Sequence, residues 1–199
     1  MNCAIVLAAG ASSRMGTQKL LLPFGGKTVI AHVVEQVLAS SIDEIYVVVG
    51  HQKELVSKEL SVLQVHIVEN PDYKSGMLSS VRYGLSAVPQ KCQSVLVALG
   101  DQPSITTALI DQMVRSFAST KKRILVPMYR RKRGHPLLFS ATYRNEIMSS
   151  FDDVGLRGLL RVHDEDVYEM NVSSPAVLSD MDYPEDFQRE LERFKKTSS

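Results

Sequence analysis

A loop of small residues carrying two cations is the part of this sequence best suited to binding a polyphosphate. It follows the apolar run Cys3–Leu7, begins at Gly10 and contains Arg14 and Lys19. Small side chains let a ligand approach the backbone, whose amide groups can then point at oxygen atoms. Arginine and lysine neutralise negative charge that amides alone cannot. The loop therefore predicts a phosphate-rich ligand, and a generic turn with two exposed cations is the alternative.

Two familiar phosphate-binding motifs do not occur in this region. A dinucleotide fingerprint requires G-x-G-x-x-G, but Gly10 and Gly16 are separated by five residues. The segment Gly26–Thr28 resembles the end of a Walker loop, yet Leu21 stands where the first glycine of that motif is required. The loop is therefore neither a dinucleotide fingerprint nor a P-loop.

A second candidate for chemistry is Asp101, which follows the apolar run Val95–Leu99. A carboxylate fixed just after a rigid strand can hold Mg²⁺, which at phosphate sites takes one or two protein carboxylates and keeps several waters. Capping of a helix that starts near Ser104 is the alternative, and spacing alone does not separate the two roles. A phosphate-binding loop on the first strand of the same predicted sheet favours the metal.

Two further aspartates, Asp180 and Asp182, precede the last predicted helix. In an extended segment, residues two apart point the same way, so one of these could meet the metal from the side opposite Asp101. Asp182, directly before the Tyr183–Pro184 start of the helix, is the first choice and Asp180 the second. The alternative is that both only cap this helix and complement its dipole.

The elements that must position these residues alternate between strands and helices. We predict strands at Cys3–Leu7, Ile45–Val49, Val65–Val68 and Val95–Leu99, and helices at Lys27–Leu38, Gln52–Leu60 and around Met77–Leu85. This alternation predicts an α/β fold of three layers, Rossmann-like, with a mostly parallel sheet covered on both faces. Ligands of such sheets bind beyond the carboxyl ends of the strands. The residues at those ends are Gly10, Gly50, Asn70 and Asp101.

The second half of the chain is less regular. We predict helices at Ile105–Phe117, Ala141–Ser150, Leu156–Val162 and Pro184–Lys196, and strands at Arg123–Tyr129, Pro136–Phe139 and Val167–Asn171. A basic turn, Arg130–Arg133, lies between two of these strands. No repeat or low-complexity linker interrupts the chain, so we expect residues 1–199 to form a single domain.

Composition narrows the class of protein. A hydrophobic fraction of 44% supports a real core, and a net charge of +1 gives no reason to expect nucleic acid or membrane as a partner. No apolar run approaches a membrane span and no signal peptide is recognisable, so we expect a soluble cytoplasmic protein. Cys3 and Cys92 lack metal-ligand spacing and are expected to be reduced.

The segment Ile5–Phe24 contains L-A-A-G-x-S-x-R-M-G-x-x-K-L-L, which resembles the nucleotide-binding loop of the MobA-like nucleotidyltransferases. It is most similar to the branch that transfers CMP to molybdopterin. The guanylyltransferase branch usually has a second glycine where Ala9 stands, which favours CTP over GTP. The resemblance extends through Asp186 and implies a fold of the nucleotide-diphospho-sugar transferase type. It also implies a nucleotide-binding half, residues 1–101, and an acceptor-binding half, residues 102–199.

The same resemblance assigns roles to the nucleotide-binding residues. It implies nucleotide contacts at Leu7, Ala8, Ala9, Gly10, Arg14 and Lys19, and a base clamp at Asn70, Gly76, Ser79 and Ser80. The residues expected to act in catalysis are Arg14, Lys19 and Asp101. For the clamp, ordinary helix capping by Ser75 and an ordinary exposed Ser79 remain the alternative.

The metal and acceptor residues are assigned in the same way. The motif G-D-Q-P implies Asp101 as a Mg²⁺ ligand, and a segment resembling D-[IV]-D-T-P-E-D adds Asp182, with Met181 and Tyr183 as departures. The motif G-H-P implies that His135 contacts the acceptor, although a lone histidine is more often structural or solvated. A segment resembling G-A-R, with leucine for alanine, adds Arg157 as a candidate for the acceptor's phosphate.

The reaction implied by the resemblance is transfer of CMP from CTP to the phosphate of molybdopterin, with release of pyrophosphate. A phosphate is already a nucleophile near neutral pH, so no strong base is required, and none is evident. Two alternatives stay open. One is a nucleotidyltransferase for another phosphorylated acceptor. The other is a maturation factor without turnover that delivers a pterin cofactor to a molybdenum hydroxylase through transient contact, since some family members are associated with purine catabolism.

Overall fold

A mixed β-sheet forms the centre of the structure, a computed structural model that describes residues 1–12 and 15–197, with side chains through residue 196. The strands of the described chain are β1 (Asn2–Ala8), β2 (Pro23–Phe24), β3 (Lys27–Thr28), β4 (Glu44–Val49), β5 (His66–Glu69), β6 (Ser94–Leu99), β7 (Ile124–Tyr129), β8 (Lys132–Arg133), β9 (Leu137–Ser140) and β10 (Val167–Asn171). The main sheet has the order β10-β7-β9-β6-β1-β4-β5, with β8 paired to β7, and β2 and β3 form a separate hairpin. The first strand therefore lies in the middle of the sheet.

The sheet is mostly parallel, as the alternating pattern predicted. Strand β1 pairs in parallel with β4 and β6, β4 with β5, and β7 with β10. Strand β9 runs antiparallel between β6 and β7, so β7 and β10 point the same way as β1. The apolar pattern had predicted this strand without fixing its direction.

Helices cover both faces of the sheet. They are α1 (Val29–Leu38), α2 (Lys53–Leu60), α3 (Met77–Ala87), α4 (Thr107–Ser119), α5 (Arg144–Ser149), α6 (Arg157–Val162) and α7 (Pro184–Thr197). Side chains alternate along β1: Ala4 and Val6 pack with α1, α2, α4 and α7, whereas Cys3 and Ile5 pack with α3, α5 and α6. The predicted three-layer α/β fold is confirmed.

Caps, rather than the apolar period, decide where the predicted helices begin. Helix α1 starts at Val29 because the preceding residues pair with β2 and the Thr28 hydroxyl accepts a hydrogen bond from the Ala31 amide at 3.4 Å. Helix α4 starts at Thr107, where the Thr106 hydroxyl accepts from the Leu109 amide at 3.3 Å. The segment predicted as one helix from residue 141 opens with a 3-10 turn before α5.

Cys3 and Cys92 are buried free thiols. A separate observation concerns membranes. Within the described part of the chain, none of the helices combines the length and the apolar character required to cross a bilayer.

Candidate active site

A cavity of about 470 Å³ opens at the carboxyl ends of β1 and β6. Leu7 of β1 lies opposite Leu99 of β6, so the loops that follow these two parallel strands emerge side by side. The residues predicted from the sequence that line this cavity are Leu7, Ala9, Gly10, Lys19, Gly76, Ser80, Asp101 and Asp182. The side chain of Ala8 instead joins the core beneath the sheet. The cavity is therefore the candidate active site.

An ion cluster joins the two predicted charged loops. The Lys19 ammonium group pairs with the Asp101 carboxylate, and its Nζ lies 3.4 Å from Oδ1 of Asp182. The side chains of Lys19, Asp101 and Asp182 are 14%, 16% and 39% exposed, so water screens the cluster only partly. The fold thus unites a cation of the phosphate-binding loop with both residues predicted to bind metal.

Hydrogen bonds within the first loop fix the backbone of Lys19. The Ser12 hydroxyl donates to Oε1 of Gln18 at 2.8 Å and accepts from the Lys19 amide at 3.3 Å. Gln18 is buried and also donates to the main-chain oxygen of His51 at 3.4 Å. Sequence reasoning missed Gln18, because a glutamine next to a cation carries no distinctive signal. Arg14, the other predicted cation of this loop, lies outside the described residues.

The helix-capping alternative for Asp101 is excluded. The cap of α4 is Thr106, and the Asp101 carboxylate faces Lys19 instead. Gly100 allows this approach, since a Cβ atom there would lie 2.8 Å from the carbonyl oxygen of Leu7. The Gly100 amide donates a hydrogen bond to that same oxygen at 3.0 Å. The strand β6 therefore delivers Asp101 directly beside the end of β1.

Asp186 contributes to capping at the start of α7. Oδ2 of Asp186 accepts hydrogen bonds from the amides of Asp182 at 3.0 Å and Tyr183 at 2.8 Å. Asp180 and Asp182 both line the cavity, and Asp182 faces Lys19. The structure leaves both aspartates as candidates for metal binding.

Of the four residues predicted to clamp the base, Gly76 and Ser80 line the cavity, whereas Asn70 and Ser79 do not. Asn70 is fully buried, and its Nδ2 donates to the hydroxyls of Ser79 and Ser80, each at 2.9 Å. Oδ1 of Asn70 accepts from the Asp72 amide at 2.8 Å. Ser80 lines the cavity, whereas Asn70 and Ser79 lie behind its wall and fix the turn that leads into α3. Direct nucleotide contact by Asn70 and Ser79 stays a prediction.

Gly76 opens the part of this wall that precedes α3. Its φ of 100° lies in a region that essentially only glycine adopts, and a Cβ atom there would meet nothing within 4 Å. Tyr73 and Met77, which sequence reasoning did not single out, line the cavity on either side. Met77 is exposed despite its apolar side chain. An apolar, open wall of this kind can receive a planar ring.

His135 and Arg157 lie near the acidic side of the cavity but are not among its lining residues. The His135 amide donates to the Val177 oxygen at 2.8 Å, which fixes this segment against a neighbouring turn. Burial lowers the pKa of the imidazole, Asp180 and Asp101 oppose that shift, and the Arg157 charge adds to it. In the described structure the buried Nδ1 of His135 has no hydrogen-bond partner. Burial therefore favours the neutral imidazole, whose Nδ1 the described residues leave without a hydrogen-bond partner.

The donor set suits a divalent cation whose coordination shell is completed by other oxygen atoms. The charged residues that line the described cavity are Lys19, Asp101, Asp180 and Asp182, which sum to a charge of −2. Among the described residues no group of three or more histidine, cysteine, aspartate or glutamate side chains could hold a metal ion by itself. Two carboxylates already share one cation here, and carboxylate oxygens are ligands that Mg²⁺ and Mn²⁺ prefer. Phosphate or water oxygens would have to supply the remaining ligands.

Comparison with known proteins identifies the class of this protein. Its sequence matches the MobA-like NTP transferase domain family over residues 4–167. The chain belongs to this family, and it is a nucleotidyltransferase. The family predicted from the first loop is confirmed, and so is the predicted fold of the nucleotide-diphospho-sugar transferase type.

Two curated proteins are similar over nearly their whole length. The molybdenum cofactor cytidylyltransferase of Escherichia coli (strain K12) is 28% identical, with 96% of this chain and 95% of that protein covered. The nicotine blue oxidoreductase of Paenarthrobacter nicotinovorans is 31% identical, with 94% of this chain and 95% of that protein covered. The chain is thus similar to proteins with different named activities.

One similar solved structure is a complex with manganese. Rv0371C from Mycobacterium tuberculosis H37Rv in complex with manganese superposes with a TM-score of 0.82 and 26% sequence identity, covering 96% of this chain and 98% of that one. A protein of the same fold therefore binds a divalent cation.

Proposed function

We propose that this protein transfers a nucleoside monophosphate from a triphosphate, preferably CTP, to the phosphate of a molybdopterin-type acceptor and releases pyrophosphate. The observation that supports it most is the meeting of Lys19, Asp101 and Asp182 beside Gly10, at the end of the two central strands. A cation, two carboxylates and an open backbone are the parts that binding a metal–triphosphate complex requires.

In this reaction a phosphate oxygen of the acceptor attacks the α-phosphorus of the triphosphate. One phosphorus–oxygen bond forms, and the bond from the α-phosphorus to the pyrophosphate oxygen breaks. Lys19 and Arg14 neutralise charge on the α-phosphate and on the departing pyrophosphate. The exposed backbone at Gly10 lets phosphate oxygens approach main-chain amides. The protein contributes alignment and charge neutralisation, and the acceptor phosphate needs no general base.

Asp101 and Asp182 are the residues that would hold Mg²⁺, with Asp180 as a further candidate. When bound, the metal supplies charge neutralisation and Lewis-acid polarisation of phosphate oxygens. The shared ammonium group supports this assignment, because it demonstrates that both carboxylates can face one cation. The manganese complex of Rv0371C is consistent with a divalent cation in this fold.

Base and acceptor recognition follow from the two sides of the cavity. In the nucleotide-binding half, residues 1–101, the wall formed by Gly76 and Ser80 receives the base, and Ala9 disfavours the larger guanine. In the acceptor-binding half, residues 102–199, His135 presents a neutral imidazole and Arg157 an exposed cation to a phosphorylated acceptor. The cytidylyltransferase named above, similar over most of this chain, supports molybdopterin as the acceptor and CTP as the donor.

A pyrophosphate-release panel tests this proposal. CTP, GTP, ATP and UTP are each combined with Mg²⁺ and with molybdopterin, a sugar phosphate or methylerythritol phosphate. We expect the fastest release with CTP and molybdopterin. Faster release with another acceptor would mean that the protein is a nucleotidyltransferase whose acceptor is that compound and not molybdopterin. Binding of CTP and molybdopterin without any release would contradict the proposal and indicate a maturation factor that delivers the cofactor to a molybdenum hydroxylase.

A further inference from the structure

The Lys19 ammonium group lies in the position that a cation bridging Asp101 and Asp182 would need. It pairs with Asp101 and lies 3.4 Å from Oδ1 of Asp182. The Lys19 and Asp101 side chains are only 14% and 16% exposed, so this contact is not a loose surface ion pair. A metal ion and an ammonium group at this site would compete for the same carboxylate oxygens, because like charges a few ångströms apart repel each other.

The charge of the described lining residues opposes entry of a bare triphosphate. The described charged residues that line the cavity sum to −2, and a nucleoside triphosphate adds several further negative charges. While Lys19 pairs with the two carboxylates, its charge is already used within the protein. Replacement of Lys19 by a divalent cation would neutralise the carboxylates more completely and free the ammonium group for the phosphates.

The surroundings of Lys19 allow the side chain to move while its backbone stays fixed. The Lys19 amide donates to the Ser12 hydroxyl, and the neighbouring Gln18 side chain holds that hydroxyl in turn. A lysine side chain has a flexible four-carbon stem and carries a point charge, so it can change partners by rotation. No rearrangement of the strands is required for the exchange.

We propose that Lys19 acts as an internal counter-ion that occupies the metal position of the nucleotide-free enzyme and moves to the phosphates when the metal–nucleotide complex binds. This inference rests on the proposed function, because it assigns Lys19 two successive partners in that reaction. It follows that the divalent cation alone binds weakly. Metal and nucleotide then strengthen each other's binding by the same factor.

Manganese titration of the nucleotide-free protein tests the exchange. Free Mn²⁺ is measured by electron paramagnetic resonance with wild-type protein, Lys19→Met and Lys27→Met. Lys27 pairs with Glu35 on the surface, so it is a matched control outside the cavity. We expect Lys19→Met to bind Mn²⁺ roughly tenfold more tightly than wild type, because its two carboxylates lack their counter-ion. The Lys27→Met protein should bind Mn²⁺ as the wild type does.

Thermal unfolding gives a second readout and a folding control. Because a ligand that binds the native state raises Tm, saturating Mn²⁺ should raise the Tm of Lys19→Met more than that of wild type. Lys19→Gln repeats both measurements with a polar side chain, in case methionine prevents folding. Equal or weaker Mn²⁺ binding by folded Lys19 variants would overturn the exchange.

The failure of this inference can be told apart from failure of the proposed function. If wild-type protein releases pyrophosphate but the Lys19 variants gain no Mn²⁺ affinity, the function stands and the exchange is wrong. If wild-type protein releases none with any triphosphate, the proposed function is wrong. The Mn²⁺ comparison still decides whether Lys19 excludes the metal.

Discussion

The loop from Gly10 to Lys19 and the proposed acceptor side, His135 and Arg157, differ in whether their polar groups have hydrogen-bond partners within the protein. In the loop, the Ser12 hydroxyl bonds to Gln18 and to the Lys19 amide, and the Lys19 ammonium group pairs with the Asp101 carboxylate. On the acceptor side, His135 has a buried ring nitrogen that no described residue contacts by a hydrogen bond. Unpaired buried polar groups are unfavourable unless a ligand or water completes them.

The difference indicates two ways of preparing a site for a charged ligand. In the loop, the charge of Lys19 is held in an internal pair, which we propose a metal–triphosphate complex exchanges. On the proposed acceptor side, the buried Nδ1 of His135 has no hydrogen-bond partner among the described residues, and the Arg157 side chain is exposed. Variants on the loop should therefore change turnover most, whereas variants on the acceptor side should change acceptor affinity.

The largest expected effect follows removal of the Asp101 charge. Asp101→Asn should lower kcat by about a hundredfold or more, since one main electrostatic stabiliser of the reaction is lost. Pyrophosphate release with saturating Mg²⁺ measures it. Asp153→Asn, an exposed aspartate outside the cavity, is the matched control and should retain the wild-type rate. If Mg²⁺-dependent turnover is unchanged in Asp101→Asn, the proposed role of Asp101 in metal binding is wrong.

A smaller effect on catalysis, but a clear one on stability, is expected at Gly76. Gly76→Ala would place a Cβ atom at a φ of 100°, so the unfolding free energy should fall by about 1–3 kcal/mol. The KM for the triphosphate should rise, because the turn before α3 forms part of the cavity wall. Gly10→Ala, where φ is not positive and no atom lies within 4 Å, is the stability control. Equal Tm values for the two variants would contradict the strain argument.

Arg82 links α3 to the segment before Arg157, the residue proposed to bind the acceptor. Its guanidinium group donates to the main-chain oxygens of Ile147 at 2.9 Å and Ser150 at 2.8 Å, and pairs with Asp152 at 2.6 Å. Arg82→Ala should raise the KM for the acceptor by about tenfold, since misplacement of a binding group is costly. The KM for the triphosphate should stay unchanged.

Initial-rate kinetics with each substrate varied in turn measure the two KM values separately. Asp152→Asn is the control, because its side chain is 71% exposed and an exposed pair contributes little. A parallel rise in both KM values for Arg82→Ala would mean that the segment supports the whole cavity and not the acceptor side alone.

The smallest effect concerns pH. Burial holds the pKa of His135 below its ordinary value of 6.5, so below that pH the unfolded chain binds more protons than the folded protein. The histidine's contribution to stability is therefore present above about pH 6.5 and is lost as pH falls towards the lower folded pKa. Urea unfolding at several pH values should give a shallower acid dependence for His135→Gln. Part of the dependence should remain, because burial also lowers the pKa of His32. An unchanged slope would show that His135 titrates alike in both states.

Much of the fold could be read from local patterns. Apolar runs bounded by glycine, asparagine or aspartate located the strands, and the strand Val167–Asn171 was predicted with the observed bounds. Helix starts were less accurate, because Thr28 and Thr106 set them through hydrogen bonds that an apolar period does not encode. Threonine is one of several residues that can cap a helix, so its presence alone does not mark a start.

The site was predicted less completely than the fold. Lys19, Asp101 and Asp182 were chosen from the sequence, and they meet in the structure. Whether Asn70 would face the ligand or support the wall could not be read, since an asparagine after a strand suits either position. Its buried location, with both polar atoms bonded inside the protein, depends on the packing of α3.

The sequence alone determined the chemistry that the loops can perform, because small residues, cations and carboxylates act through their own types and spacing. It also determined an alternating α/β pattern, since strand and helix periods are local properties. Only the tertiary structure decided that β9 runs antiparallel between β6 and β7, and that Lys19 meets an aspartate 163 positions later. Such pairings depend on how the whole sheet is ordered, and no short segment of sequence carries that information.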